Sequence, residues 1–209
     1  MKKLLIATKN QGKLKEISKF LSDIPLTLVS LNDLGISEDF EEKGKTYKEN
    51  SQNKAIFYAK KSGLPTIADD GGIEIDALGG APGIHSKRWV GKDSTDEKII
   101  EHMKKVASAL PKSNRKAFFK TVVSLALPNE KIFSTTGEIE GVIVRKPLLK
   151  LLKGYPYRSF FYLPGIGKYY HENDLSDEEE KLYNHRYKAI KKLIPIIRRE
   201  LGIKIYARH

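Results

Sequence analysis

Cysteine is absent from the 209-residue sequence, and this absence excludes several kinds of chemistry. Without it the chain has no disulfide, no thiolate ligand for a metal ion and no cysteine nucleophile. The absence fits a reducing compartment, so we expect a cytoplasmic protein. The length suits one substantial domain, or one domain with an extra lobe, that buries a proper core.

Long hydrophobic runs are also lacking. The only apolar run near the N-terminus ends before Thr8-Lys9-Asn10 and is too short for a signal peptide or a membrane span, so we predict no membrane partner. Acidic residues are outnumbered, 26 against 38 lysines and arginines, and the net charge is +12. This excess favours polyanionic partners such as phosphates, nucleic acid or acidic membrane surfaces.

The most informative stretch runs from Pro65 to Trp89. A short apolar strand, residues 66–68, ends there on the adjacent carboxylates Asp69 and Asp70, and Gly71-Gly72 predicts a turn. Because side chains alternate along a strand, the two acids face opposite ways and one is free to face a cleft. The glycines let a bulky anion approach. The alternative is a β-hairpin with solvated acids.

A second candidate site follows the first predicted strand, Lys3 to Ala7. A polar loop over residues 8–13 leads into a helix with Leu14, Ile17, Phe20 and Leu21 on one face. The loop brings backbone N–H groups, a hydroxyl, an amide and a lysine to the positive end of a helix, where phosphate binds well. It lacks the glycine spacing of a Walker A motif, and an ordinary capped turn is the alternative.

The rest of the chain predicts further strands and helices. Thr46 and Glu49 form a capping box at the start of one helix. The predicted elements are strands at 26–31 and 118–127, two strands within 131–144 around Thr136-Gly137, helices at 47–62 and 94–110, an aromatic loop at 154–165, and a last long helix that carries 184–186 and ends near 200.

The chain carries four motifs, TKNQGK, EKGKTYKEN, ADDGGIEIDALGGAPGIHSKRW and NHRYKA. In their order and spacing they resemble those of the non-canonical purine nucleoside triphosphate pyrophosphatase family, the inosine triphosphatase-like enzymes. The resemblance runs from Ile6 to about Ala189. It implies an α/β fold with an elongated mixed sheet, flanking helices and two lobes around a central cleft, so that residues 1–209 form one domain. It also implies a homodimer that hydrolyses inosine, xanthosine and deoxyinosine triphosphates to monophosphate and pyrophosphate with Mg²⁺.

The resemblance also implies roles for individual residues. Asp70 matches the proton acceptor and, with Glu42, the metal-binding acids, which suits Mg²⁺ because it prefers carboxylate oxygens. His185 and Arg186 match the pair that reads the purine, and both can donate hydrogen bonds to a 6-oxo group. The predicted substrate-binding residues are Thr8, Lys9, Asn10, Gln11, Gly12, Lys13, Gly71, Tyr155, Pro156, Tyr157, Arg158, Lys181, His185 and Arg186.

The chain departs from the family at the aromatic loop, which reads Gly-Tyr-Pro-Tyr-Arg-Ser instead of Gly-Phe-Gly-Tyr-Asp-Pro. Pro156 replaces a flexible glycine, and Arg158 replaces an acid, which inverts a charge at the base-binding wall. Glu180 stands where a lysine is usual, with Lys181 adjacent, and Asn184 replaces a serine. We therefore expect pyrophosphohydrolysis to persist with an altered or relaxed base preference.

Two other functions are open from the sequence. One is hydrolysis of other nucleotides, canonical or modified, as in the Maf-type pyrophosphatases, and the altered loop favours it. The other is non-catalytic binding of nucleotides or nucleic acid through the positive charge and the aromatic loop. Glu42 and Asp70 oppose this second function because carboxylates repel polyanions unless a metal lies between them. Whether Asp69 or Asp70 faces the metal is also open, although the resemblance favours Asp70.

Overall fold

The computed structural model describes residues 1–92, 94–149, 152–171 and 174–203. Within these ranges the helices are α1 (Gln11–Phe20), α2 (Tyr47–Ser62), α3 (Asp96–Ala109), α4 (Asp177–Tyr183) and α5 (His185–Glu200). The strands are β1 (Lys2–Ile6), β2 (Leu26–Ser30), β3 (Thr66–Ile75), β4 (Lys116–Ala126), β5 (Ile132–Ile143), β6 (Phe161–Leu163) and β7 (Lys168–Tyr169). Short 3-10 helices lie at Asn32–Leu34, Asp76–Leu78, Gly83–Arg88 and Arg158–Phe160.

The strands form a mixed sheet in the order β2-β1-β3-β4-β5-β6-β7. Strand β1 is parallel to both β2 and β3, with Leu4 opposite Leu28 and Ile6 opposite Ile67. Strand β6 is antiparallel to both β5 and β7. This arrangement confirms the predicted α/β class with a mixed sheet. None of the helices in the described ranges is long and apolar enough to cross a membrane.

The chain divides into two compact units, and the first contains residues 1–70, 122–136 and the chain from Arg186 onward. Its core lies on both faces of β1, because successive side chains of a strand point to opposite sides. Leu4 belongs to a cluster with Ile17 of α1 and Leu193 of α5, whereas Leu5 belongs to a cluster with Tyr58 of α2. The first unit therefore has helices packed on both faces of its strands.

The second unit contains residues 71–121 and 137–185. Its described residues form a hydrophobic cluster in which Met103 of α3 packs with Phe119 of β4 and Ile143 of β5. Phe161 and Tyr170 extend this cluster with edge-to-face aromatic contacts to Phe119. Tyr157 and Phe160 of the aromatic loop that the sequence singles out belong to the same cluster.

The predicted turn at Gly71-Gly72 is wrong, because β3 continues through both glycines to Ile75. A Cβ atom on Gly71 would lie 2.9 Å from the Cα of Thr121 and would also meet the carbonyl of Lys120. A Cβ on Gly72 would collide with Ser86 in the same way. The glycines therefore allow close packing within the protein, while the strand stays extended.

Three further boundaries differ from the predictions. Strand β5 is one strand through Thr136-Gly137 and not two, and the aromatic loop contains the 3-10 helix Arg158–Phe160 and strand β6. The last helix is split at Asn184, whose φ of −104° and ψ of 115° are extended. These outcomes depend on pairing and packing between distant segments, which local sequence patterns do not encode.

Helix α2 begins and ends where the sequence predicts. Thr46 Oγ1 accepts a hydrogen bond from the backbone N–H of Glu49 at 3.1 Å, so the N-cap is confirmed. The reciprocal bond of the capping box shifts by one residue, because the Glu49 carboxylate accepts from the backbone N–H of Lys45 at 2.7 Å. Both bonds fix the chain as it enters α2.

Candidate active site

The loop between β1 and α1 is held by its own side chains. Asn10 is the N-cap of α1, and its Oδ1 accepts a hydrogen bond from the backbone N–H of Lys13 at 3.1 Å. Thr8 Oγ1 accepts from the backbone N–H of Asn10 at 3.2 Å. Gln11 and Gly12 form the first turn of α1. Thr8 and Asn10 thus shape the positive end of this helix.

The two lysines of this loop face different partners. Lys9 Nζ donates to the carbonyl of Ser37 at 2.9 Å and lies 3.6 Å from Asp39. Lys13 Nζ forms an ion pair with Asp69 Oδ2 at 3.1 Å. The sequence left open which lysine serves the candidate phosphate site, and the structure brings Lys13 to the acidic residues.

Asp69 lies at the centre of a buried ionic network. Its Oδ2 accepts from Lys13 and also from Arg186 Nε at 3.0 Å, and Arg186 Nη1 contacts Glu16 as well. Burial opposes ionisation, but the positive charges of Lys13, Arg186 and Lys54 hold the pKa of Asp69 well below its usual range. Asp69 is therefore an ionised residue that ties α1 to α5.

Asp70 faces the opposite side of β3, as strand alternation requires. Its Oδ2 accepts a hydrogen bond from Asn50 Nδ2 of helix α2 at 3.0 Å. Burial and then the nearby negative charge of Glu42 raise the pKa of Asp70, whereas Lys54 and Lys13 lower it. The negative charge of Glu42 therefore reaches the carboxyl group of Asp70 and opposes its ionisation.

Lys54 of helix α2 is a residue of this site that the sequence analysis missed. Its Nζ forms an ion pair with Glu42. Burial alone would lower the pKa of Lys54, but the charges of Glu42, Asp69 and Asp70 raise it. Lys54 follows Asn50 by four positions, a spacing that places both on one face of α2. That spacing was the sequence signal available for finding them.

A second group of predicted residues lies within the second unit. The Arg158 guanidinium is buried, with its Cζ 3.8 Å from the ring centroid of Tyr155 and 4.3 Å from that of Tyr170. Tyr170 Oη is 3.0 Å from His185 Nδ1, and the His185 ring stacks on Phe119. The structure therefore joins Arg158, Tyr155 and His185 in one aromatic cluster.

The remaining predicted residues have varied positions. Tyr157 donates from its hydroxyl to the carbonyl of Ser86 at 2.6 Å, and burial raises the pKa of Tyr157. Pro156 is buried beside it, whereas Lys181 is exposed on α4. Gly71 lies against Thr121, as described above. Tyr157 thus anchors the aromatic loop to the 3-10 helix Gly83–Arg88.

Comparison with known proteins identifies relatives along almost the whole chain. The model of the Ham1 family matches residues 4–196. The dITP/XTP pyrophosphatase of Shigella flexneri is 39% identical over 200 residues, covering 95% of this chain and 99% of that protein. The dITP/XTP pyrophosphatase of Desulforamulus reducens is 36% identical over 197 residues, covering 94% and 96%.

Solved structures agree with this assignment. A HAM1 protein from Coxiella burnetii superposes with a TM-score of 0.80 at 33% identity, covering 95% of this chain and 100% of that one. The Ham1 protein of Staphylococcus aureus superposes with a TM-score of 0.78 at 31% identity and the same coverage. The chain therefore belongs to the Ham1 family, the non-canonical purine nucleoside triphosphate pyrophosphatases that its four motifs resemble.

Proposed function

We propose that this protein hydrolyses inosine, xanthosine and deoxyinosine triphosphates between the α and β phosphates, giving the monophosphate and pyrophosphate and removing these nucleotides from the pool. The observation that carries the proposal is the grouping of Asp70 and Glu42 with Lys13 and Lys54 in the first unit. Its chemistry suits an anionic substrate bound with a cation, and relatives over 94–95% of the chain are named dITP/XTP pyrophosphatase.

Magnesium is the cofactor that this donor set favours. Mg²⁺ is held by one or two carboxylates together with waters and substrate phosphates, and not by a full protein cage. Within the described ranges no group of three or more acidic, histidine or cysteine side chains is arranged as a metal cage. Glu42 and Asp70, whose negative charges oppose each other, suit a cation between them. When bound, Mg²⁺ supplies positive charge that neutralises phosphate oxygens and acidifies the attacking water.

The protein's own residues divide the remaining work. Asp70 accepts a proton from the attacking water. Lys13 and the N-terminus of α1 hold the phosphates and balance the charge that builds on the leaving pyrophosphate. Lys54 keeps Glu42 in place by its ion pair. The loop residues Thr8, Lys9, Asn10, Gln11 and Gly12 complete the triphosphate-binding loop.

Hydrogen-bond donors on the protein recognise the purine base in this proposal. His185 and Arg186 donate hydrogen bonds to the 6-oxo group of inosine and xanthosine, and adenosine is disfavoured because its 6-amino group is itself a donor. Guanine also has a 6-oxo group, so its rejection needs a further contact. The proposed contacts from the aromatic loop are Tyr155, Pro156, Tyr157 and Arg158, with Gly71 and Lys181 as further contacts.

The test is turnover of a triphosphate panel with Mg²⁺: inosine, xanthosine, deoxyinosine, adenosine, guanosine and thymidine. Phosphorus NMR separates pyrophosphate from orthophosphate. We expect pyrophosphate from the first three, turnover lowered by about 10²- to 10⁴-fold in Asp70→Asn, and full turnover by the matched control Asp76→Asn, which changes an exposed acid just after β3. Pyrophosphate mainly from canonical nucleotides would contradict the proposed substrate class, and no turnover would contradict the activity.

The resemblance extends the proposal to a homodimer in the cytoplasm. Light scattering coupled to size-exclusion chromatography tests the dimer, since a single mass near 23.7 kDa would contradict it. Fractionation of cells that express the tagged chain tests the location. A protein recovered with the membrane or the medium would contradict the cytoplasmic assignment.

A further inference from the structure

Asn50 uses both ends of its side-chain amide. It lies in the second turn of α2 and is 1% exposed. Its Oδ1 accepts from the backbone N–H of Gly44 at 2.7 Å, and its Nδ2 donates to Asp70 Oδ2 at 3.0 Å. A backbone N–H can only donate, and an ionised carboxylate can only accept. The two partners therefore fix the orientation of the amide.

Gly44 lies so close to Asn50 and Glu49 that a side chain at residue 44 would force its neighbours to shift. A Cβ atom on Gly44 would lie 2.6 Å from Asn50 Oδ1 and 2.8 Å from Glu49 Cβ. Gly44 follows Glu42 by two residues in the same loop. One side chain thus connects the segment that carries Glu42 with the carboxylate of Asp70.

The backbone around Asn50 is itself fixed. Thr46 caps α2 just before it, and the Glu49 carboxylate holds the backbone N–H of Lys45. On its other side, Ser51 Oγ bonds to the carbonyl of Ala68 at 3.1 Å, and Ala68 lies two residues before Asp70 in β3. The amide therefore projects from a rigid base, which suits a group that orients others.

We propose that Asn50 is a positioning residue for the metal site: it holds Asp70 Oδ2 and the loop of residues 42–44 so that the carboxylates of Glu42 and Asp70 face one divalent cation. The inference rests on the proposed function, because that function supplies the cation. Two neighbouring carboxylates repel each other. The ion pair of Lys54 with Glu42 and the hydrogen bonds of Asn50 to Gly44 and Asp70 together oppose this repulsion and hold both segments in place for the cation.

The test is Asn50→Ala in the full-length protein. Outer partners of metal ligands contribute about 10- to 100-fold to metal affinity or activity. We expect a loss of that size in Mn²⁺ affinity, measured by electron paramagnetic resonance with an α,β-non-hydrolysable analogue of inosine triphosphate. We expect the Mg²⁺ concentration for half-maximal turnover to rise by the same factor as the Mn²⁺ affinity falls. The KM for the nucleotide at saturating Mg²⁺ should change little. Asn50→Ser, whose hydroxyl is too short to reach both partners, gives the same result if the alanine variant does not fold.

Two control variants separate positioning from loss of stability. Asn53→Ala removes an exposed asparagine one turn further along α2, and Thr95→Ala weakens helix α3 through its cap, far along the chain from Asn50. Both should retain wild-type Mn²⁺ affinity. An Asn50 variant with unchanged Mn²⁺ affinity, or a Thr95→Ala variant with an equal loss, would overturn the inference. If the wild type binds Mn²⁺ and nucleotide without turnover, the proposed function fails, and the affinity comparison still tests Asn50.

Discussion

Asp69 and Asp70 are consecutive residues of one strand, yet the pKa values of their carboxyl groups are shifted in opposite directions. Asp69 accepts from Lys13 and Arg186, and these cations keep the pKa of Asp69 low. Asp70 accepts from a neutral amide, and burial and the charge of Glu42 raise the pKa of Asp70. Strand alternation thus separates a carboxylate that cations hold ionised from one whose ionisation is opposed.

This separation predicts opposite consequences for two identical substitutions. Asp70→Asn should lower kcat by about 10²- to 10⁴-fold, the usual contribution of a general base, with little loss of stability. Asp69→Asn should lower the free energy of unfolding by about 3–5 kcal/mol, because it leaves the buried Arg186 with one charged partner fewer. Urea unfolding and steady-state turnover measure the two effects.

The control for this comparison is Asp39→Asn, which removes an exposed carboxylate near Lys9. Exposed ion pairs contribute little, so its unfolding curve should match that of the wild type. If Asp70→Asn lost stability and Asp69→Asn kept the stability of the wild type, Asp70 and not Asp69 would be the acid that stabilises the fold.

Gly71 tests whether β3 packs as closely as the structure indicates. Gly71→Ala should lower the free energy of unfolding by about 1–3 kcal/mol, because its methyl group would press on the backbone of Lys120 and Thr121. Gly165→Ala is the matched control, since nothing lies within 4 Å of its Cβ position. Equal stability of the two variants, measured by urea unfolding, would show that β4 is further from Gly71.

Arg158 tests the proposed change in base preference. Arg158→Asp replaces a cation that contacts two tyrosine rings with the acid found at this position of the family motif. The substitution should change the preference for inosine triphosphate over the canonical purine triphosphates, measured as the ratio of their kcat/KM values. We expect a change of at least about tenfold, or ~1.4 kcal/mol. The triphosphate panel measures this ratio. Arg158→Met retains much of the volume without the charge and controls for packing. An unchanged substrate ranking in Arg158→Asp would refute the role of Arg158 in base selection.

Removal of divalent metal should abolish pyrophosphate release. The carboxylates of Glu42 and Asp70 repel the substrate unless a cation lies between them and the phosphates. Treatment with a chelator, followed by addition of Mg²⁺, should abolish and then restore turnover. Release that continues at the wild-type rate in excess chelator would rule out a metal-dependent reaction.

Much of the fold was accessible from local patterns. The capped start of α2, the amphipathic face of α1 and the β-prone run at β4 all correspond to elements of the structure, because each pattern is a property of adjacent residues. The turn predicted at Gly71-Gly72 was wrong for the complementary reason. Glycine permits a turn but also permits close packing, and only the approach of Thr121 distinguishes the two.

The site divides in a similar way. Strand alternation was sufficient to predict that Asp69 and Asp70 face different partners, and the four motifs were sufficient to identify the family. Asn50 and Lys54 were missed because their significance depends on what lies across from helix α2. A polar residue on a helix becomes informative only when its partner from another segment is known.

The sequence by itself determined the chemical inventory: no thiol chemistry, a strong excess of positive charge, paired acids next to a short apolar run, and a lysine-bearing loop at a helix start. The tertiary structure alone decided which groups meet: Lys13 rather than Lys9 with Asp69, Asn50 between Gly44 and Asp70, and Arg158 between two tyrosines. The physical reason is the separation along the sequence over which each interaction acts. Periodicity and capping act over a few residues, whereas ion pairs and hydrogen bonds in a buried site join segments that are adjacent only after folding.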